Sequence, residues 1–213
     1  PTEGDDSRDA PRKHLRAMIV ADASASSSAA AGNCGPDDNA DDCTELTAFA
    51  ASTNVAQVSN WTMDGKTSIC DWEGVECASS VYLGRPSQIK INSKGVKGFL
   101  PTEIGLLNGL IQLDLWDNSL SGTVPTTIGN LNPDELVGIY MGDNWGLTGP
   151  IPEEISKLTD LADLDLYDTA LTKMPSVICD MLAAGKMTDC HLQNVPFACP
   201  LPPCASKCSA TCK

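Results

Sequence analysis

The residue types that ordinarily carry chemistry are few in this chain and unevenly placed. It holds two histidines, His14 and His191, and ten cysteines: Cys34, Cys43, Cys70, Cys77, Cys179, Cys190, Cys199, Cys204, Cys208 and Cys212. Catalysis needs a positioned acid, base, nucleophile or metal, and neither histidine is placed for a triad. Gly65-Lys66-Thr67 matches the end of a phosphate-binding loop, but Asn60 stands where that loop needs its first Gly. No Gly-rich dinucleotide fingerprint follows a strand, and no kinase motif is present. The expectation is a chain that is not an enzyme and uses no cofactor.

The cysteines are even in number, grouped locally, and absent between residues 78 and 178, as in a body with two stapled ends. That pattern predicts disulfides and an extracellular or secretory location. Spacing favours Cys34 with Cys43 and Cys70 with Cys77, while the six tail cysteines allow 15 connectivities. Zinc held by the tail thiolates and His191 is the alternative; the two local pairs favour oxidation, so no metal is expected. Asn60-Trp61-Thr62 is an N-glycosylation acceptor.

Composition narrows the partners. In 213 residues, 14 Lys+Arg face 28 Asp+Glu, a net charge of −14. So acidic a chain repels polyphosphate and anionic lipid, which argues against nucleic acid and against attachment to a membrane by charge. No run of about 18 apolar residues could span a bilayer, though a longer parent protein could carry an anchor. Residues 1–32, rich in charge, Ser and Ala, bury too little apolar area to offset ordering and read as a disordered leader or linker.

The elements that must position any surface chemistry come from repeats. Leu100-Pro101, Val124-Pro125, Ile151-Pro152 and Met174-Pro175 recur at intervals of 24, 27 and 23 residues, each followed three residues after the Pro by Ile104, Ile128, Ile155 or Ile178. Upstream lie the apolar pairs Ile89/Ile91, Leu113/Leu115, Ile139/Met141 and Leu164/Leu166. Each pair is a short strand with one face inward, and Asn118 and Asn144 can bond the backbone at the turn that follows. One coil cannot bury its own edge, so coils stack into a solenoid with protected ends. Asn132-Pro133-Asp134-Glu135 adds two residues and Trp145 one, and both should bulge at the rim.

Leu120-Ser121-Gly122-Thr123-Val124-Pro125 and Leu147-Thr148-Gly149-Pro150-Ile151-Pro152 resemble the plant-type leucine-rich repeat. Trp61 with Cys70-Asp71-Trp72-Glu73-Gly74-Val75-Glu76-Cys77 resembles the N-terminal cap of secreted plant-type repeat proteins and receptor-kinase ectodomains. Leu46, Phe49, Ala50 and Thr53 recur at helical spacing, which predicts a cap helix. The resemblance implies an α/β solenoid: a short right-handed leucine-rich-repeat array with a parallel concave β-sheet, a helical N-terminal cap and a cysteine-rich C-terminal cap. The expected parts are a leader over 1–32, a cap over 33–85, four repeats over 86–178 and a second cap over 179–213.

The register then names the concave side chains. One column holds Lys90, Asp114, Tyr140 and Asp165; the next holds Asn92, Trp116, Gly142 and Tyr167; a third holds Ser93, Asp117, Asp143 and Asp168. Rigid rings beside carboxylates can anchor a partner. The ligand-binding expectation is therefore Lys90, Asn92, Asp114, Trp116, Asp117, Tyr140, Asp143, Asp165, Tyr167 and Asp168. They would take a basic or amphipathic peptide, a protein patch, or a glycan stacked on rings. The Asp column has a competing explanation in turn chemistry, and a calcium site there is a further alternative. Recognition on the concave face is the leading function; a wall, matrix or assembly component packing through its sides and caps is the second. Ice binding needs a column of Thr, and Thr123, Thr126, Thr127, Thr148, Thr159 and Thr172 do not fall into one.

Overall fold

A computed structural model describes residues 33–78 and 85–212; the expected leader and His14 lie outside them. The elements in chain order are α1 (Ala40–Ser52), α2 (Val55–Val58), β1 (Val75–Cys77), β2 (Pro86–Lys90), β3 (Lys97–Phe99), β4 (Gln112–Asp114), β5 (Ser119–Thr123), β6 (Gly138–Tyr140), β7 (Gly146–Pro150), β8 (Asp163–Asp165), β9 (Ala170–Lys173), α3 (Val177–Ala183) and β10 (Asp189–His191). They form a leucine-rich-repeat solenoid with two sheets, ordered β1-β2-β4-β6-β8-β10 and β3-β5-β7-β9. Every pairing is parallel except that of β1 with β2.

The repeats produce this arrangement locally. Ile89, Leu113, Ile139 and Leu164 lie side by side in the first sheet and are buried, as are Ile91, Leu115, Met141 and Leu166 beyond them. At the turn out of β4, Asn118 donates to the carbonyls of Ile91 and Leu115 at 2.8 and 2.9 Å and accepts from the Val96 N–H at 2.9 Å. Asn144 repeats the device one coil later, donating to Leu115 and Met141 and accepting from Leu120. Buried turn backbone is thereby satisfied by side chains that reach into the neighbouring coil. Pro101, Pro125 and Pro152 each precede a 3-10 turn whose Ile104, Ile128 or Ile155 enters the core. Trp145, the extra residue after Asn144, stands 65% exposed at the rim, where an insertion has to go.

The N-terminal cap closes the first coil. Asn39 caps α1 by accepting from the N–H groups of Asp41 and Asp42, so the helix starts earlier than its apolar spacing implies. Trp61 stacks on Trp72 with ring centroids 5.0 Å apart and tilts against Phe49, and its indole donates to the Glu73 carbonyl. Asn60 is exposed, its side-chain Oδ1 accepting from the Glu73 N–H.

The C-terminal region departs from expectation. Residues 179–213 do not only cap: β10 continues the parallel ladder, with Cys190 beside Leu164 and His191 beside Asp165. Met187, Cys190, Leu192, Val195 and Phe197 are all buried. They form a fifth coil within the cysteine-rich C-terminal cap. Disulfides join Cys34 to Cys43, Cys70 to Cys77, Cys179 to Cys204, Cys190 to Cys208 and Cys199 to Cys212. On the second sheet Thr123 pairs with Thr148, but Ala170 follows, so that Thr column is two residues long.

Candidate functional site

The concave sheet sets its outward side chains in columns across coils. Strand register places Lys90, Asp114, Tyr140, Asp165 and His191 in one row and Gln88, Gln112, Gly138, Asp163 and Asp189 in the row before it. At the first end the lysines are engaged by the cap: Lys90 pairs with Glu76 at 3.3 Å and Lys94 with Glu73 at 2.5 Å. Asn92 is half-buried in the turn beyond β2. Further along, the described carboxylates outnumber the cations, and His191 is the basic group that the expectation did not include. It hid in the sequence because the cysteines around it read as a cap.

The third column has a conformational explanation. Ser93, Asp117, Asp143, Asp168 and Asn194 have φ of 54°, 52°, 53°, 51° and 59°. This left-handed region favours Asn, Asp and Gly, and Ser tolerates it at some cost. The turn therefore accounts for the residue types at Asp117, Asp143 and Asp168 without a ligand. Among the described residues no His, Cys, Asp and Glu groups are clustered so as to hold a metal ion. Gly65-Lys66-Thr67 is a surface turn, in which Asp64 accepts from the N–H groups of Lys66 and Thr67.

The rings, in contrast, converge. The Trp116 indole N–H donates to the Tyr167 hydroxyl across the strand between them. That contact exists because the intervening residue is Gly142: a Cβ there would lie 2.8 Å from the Tyr167 ring and 2.9 Å from Asp165 Oδ1. Tyr140 lies back over Gly138, where a Cβ would be 2.6 Å from its ring, and its hydroxyl donates to Asp163 at 2.8 Å. Two glycines thus seat two tyrosines. Gln112, Asp114, Trp116, Tyr140, Asp165 and Tyr167 line a hollow of about 260 Å³, and a second of about 240 Å³ opens beside Tyr140, Asp163, Asp165, Asp189 and His191.

The electrostatics follow from partial burial. Asp114 and Asp165 are half-buried, and burial raises both above the usual carboxylate range. Against that, the N–H of Trp116 holds Asp114 at 3.2 Å and the N–H of Tyr167 reaches Asp165 at 3.4 Å. Lys90 lowers Asp114 more weakly, and His191 does the same for Asp165. Burial and the bond to Asp163 push the Tyr140 hydroxyl up to about 12, and burial also raises Tyr167, so both stay protonated as donors. Neither Asp114 nor Asp165 has an ion pair among the described residues.

Residues 39–78 match the Leucine rich repeat N-terminal domain and residues 109–131 the Leucine Rich Repeat. The chain is 34% identical over 97 residues to the LRR receptor-like serine/threonine-protein kinase GSO2 and 35% identical over 105 residues to the Receptor-like kinase TMK4, both of Arabidopsis thaliana. These matches take in 46% and 49% of this chain but 7% and 10% of those proteins, so the chain spans a tenth or less of their length. Among solved structures, the BIR2 ectodomain of Arabidopsis thaliana aligns with a TM-score of 0.65 at 26% identity, over 78% of this chain and 85% of that one. The BIR3–SERK2 complex from the same plant gives 0.64 at 26%, over 74% and 84%. PEPR1 with AtPEP1 gives 0.65 at 26%, over 78% and 23%.

Proposed function

We propose, from the premise that this chain is a plant-type leucine-rich-repeat protein, that it is a non-catalytic extracellular recognition module and that it binds a peptide or protein ligand on its concave face. The observation that carries this reading is the hollow on the concave face, where three rings and two half-buried carboxylates converge and no Lys or Arg is among the lining residues. Large rigid rings give contact area at low entropy cost, and a concave site flanked by polar groups concentrates binding energy in a few side chains. The solved relatives PEPR1 with AtPEP1 and BIR3 with SERK2 are complexes, which supports a binding role for this architecture. Five disulfides suit an oxidising compartment.

The test is capture from native extracellular fluid, comparing the unaltered protein with the variant carrying Trp116→Ala, Tyr140→Ala and Tyr167→Ala, once both melt alike. The expected result is a specific partner reduced at least about tenfold, the loss from about 1.4 kcal/mol of contact. An identical partner set with both proteins would sink the concave-face reading. It would instead favour assembly through the sides, a reading whose structural support is the exposed Trp145.

A further inference from the structure

The same hollow carries an inference about what the ligand presents to it, and this inference rests on the recognition reading above. We infer that the hollow between Asp114 and Asp165 receives an arginine side chain of the ligand, its guanidinium lying against the rings of Tyr140 and Tyr167 and within reach of both carboxylates.

Asp114 and Asp165 occupy the same row with Tyr140 between them, so their backbones are two strand spacings apart, roughly 10 Å. Asp165 does not point straight out, because its Oδ1 lies 2.9 Å from where a Gly142 Cβ would be. The carboxylate therefore leans toward the middle strand, over the one concave position in its column that lacks a side chain. The Tyr167 ring and the Asp165 carboxylate fill the space a side chain there would take, which brings both to the edge of the hollow.

A carboxylate drawn partly out of water is costly unless something compensates it. Elsewhere the chain supplies that compensation: Asp42 is fully buried and Arg85 binds both its oxygens. Among the described residues Asp114 and Asp165 each receive a backbone N–H two residues on, and neither Lys90 nor His191 forms an ion pair with them. Lys90, the nearest lysine in the row, is turned to Glu76. The site is thus built in the way the chain builds an arginine site, with the arginine left to the partner.

The rings choose between cations. An ammonium is a compact, strongly hydrated point charge, whereas a guanidinium is flat, weakly hydrated and stacks on aromatic faces while its edge bonds carboxylates. The hollow is lined by aromatic rings and carboxylates, which is the combination a guanidinium satisfies with its face and its edge.

The test uses a probe rather than the unidentified ligand. Protein labelled with 15N has four tryptophan indole N–H signals, and that of Trp116 reports the hollow directly because it is the proton donated to Tyr167. N-acetyl-arginine amide is titrated at low salt, against N-acetyl-citrulline amide, which has the same shape without the charge, and N-acetyl-lysine amide. The expected result is a saturable shift of the Trp116 signal by the arginine compound in roughly the millimolar range, with Trp61 and Trp72 unmoved. Citrulline and lysine amides should be at least about tenfold weaker, as should the arginine compound against Asp114→Asn with Asp165→Asn and against Gly142→Ala, whose methyl would push the Tyr167 ring and the Asp165 carboxylate out of place.

No shift of Trp116, or an equal response to citrulline amide, overturns the inference. An equal response to lysine amide replaces it with a general cation site and overturns it as stated. The recognition reading fails separately. If the partner captured from extracellular fluid is lost by the ring variant but retained by Asp114→Asn with Asp165→Asn, recognition stands and the arginine does not. If the arginine compound binds but no partner depends on the rings, the reverse holds.

Discussion

In the N-terminal cap Asp42 is wholly buried and Arg85 grips both its oxygens at 2.6 and 2.7 Å, whereas Asp114 and Asp165 on the concave face are half-buried with one backbone N–H each. The cap holds a second buried acid, Glu45, 1% exposed, whose two oxygens have no hydrogen-bond partner among the described residues. Burial pushes Glu45 up to about 10, with Asp42 adding to the rise, so it stays neutral and lets Arg85 serve Asp42. The cap is therefore internally complete in charge, and the concave face is not. A region whose task is to hold the first coil closes its own ion pair; a region whose task is to meet another molecule leaves the countercharge outside.

That contrast can be broken at its strongest point. Arg85→Ala leaves Asp42 buried without its cation, and removing one partner of a buried pair is strongly destabilising. Because the Arg85 side chain is 22% exposed, the expected loss is at the lower end, about 2–4 kcal/mol by urea denaturation. A loss under about 0.5 kcal/mol would mean that the cap does not depend on its ion pair.

Glu45 sharpens the comparison through pH. Below 4.5 the carboxyl is protonated in both folded and unfolded chains; between 4.5 and about 10 only the folded chain keeps the proton. Stability is thus fully present below the unfolded value and declines as pH rises through that window, by up to about 1.4 kcal/mol per pH unit. Glu45→Gln keeps the neutral form at every pH, so its stability advantage over the unaltered protein should grow from pH 5 to pH 9. Melting curves at three pH values that stay parallel would show that Glu45 ionises freely.

The smallest expected effect lies on the concave side. Asp114→Asn with Asp165→Asn should change stability at pH 7 by less than about 1 kcal/mol, or raise it, since no internal ion pair is lost. A loss above about 2 kcal/mol in the same denaturation experiment would place these carboxylates with Asp42 as structural groups.

Periodicity made most of the solenoid readable, because buried Leu and Ile positions recur wherever a coil must face its neighbour. The fifth coil escaped: Met187, Cys190 and Leu192 keep the spacing of Leu161, Leu164 and Leu166, but a cysteine stands at the central strand position and the density of cysteines suggested a cap. The concave columns were named from register alone. Spacing could not separate Asp117, Asp143 and Asp168, whose types follow from a left-handed turn, from Asp114 and Asp165, which line the hollow. Nor could it give Gly142 a role, because what matters there is the space that its missing side chain leaves to Tyr167 and Asp165.

A stack of near-identical coils has no inherent stopping point, since each coil offers its successor the same unpaired strands it received. Here both terminal surfaces are blocked. The antiparallel β1 and the Thr53–Gly98 bridge occupy one end of the two sheets, and at the other Leu192 donates to Cys208 and Ala198 to Thr172, with Cys190 and Cys208 locked together. The tail disulfides thus hold in place the segment that covers the last strand, and reducing them would free a strand edge of the kind that pairs with other chains.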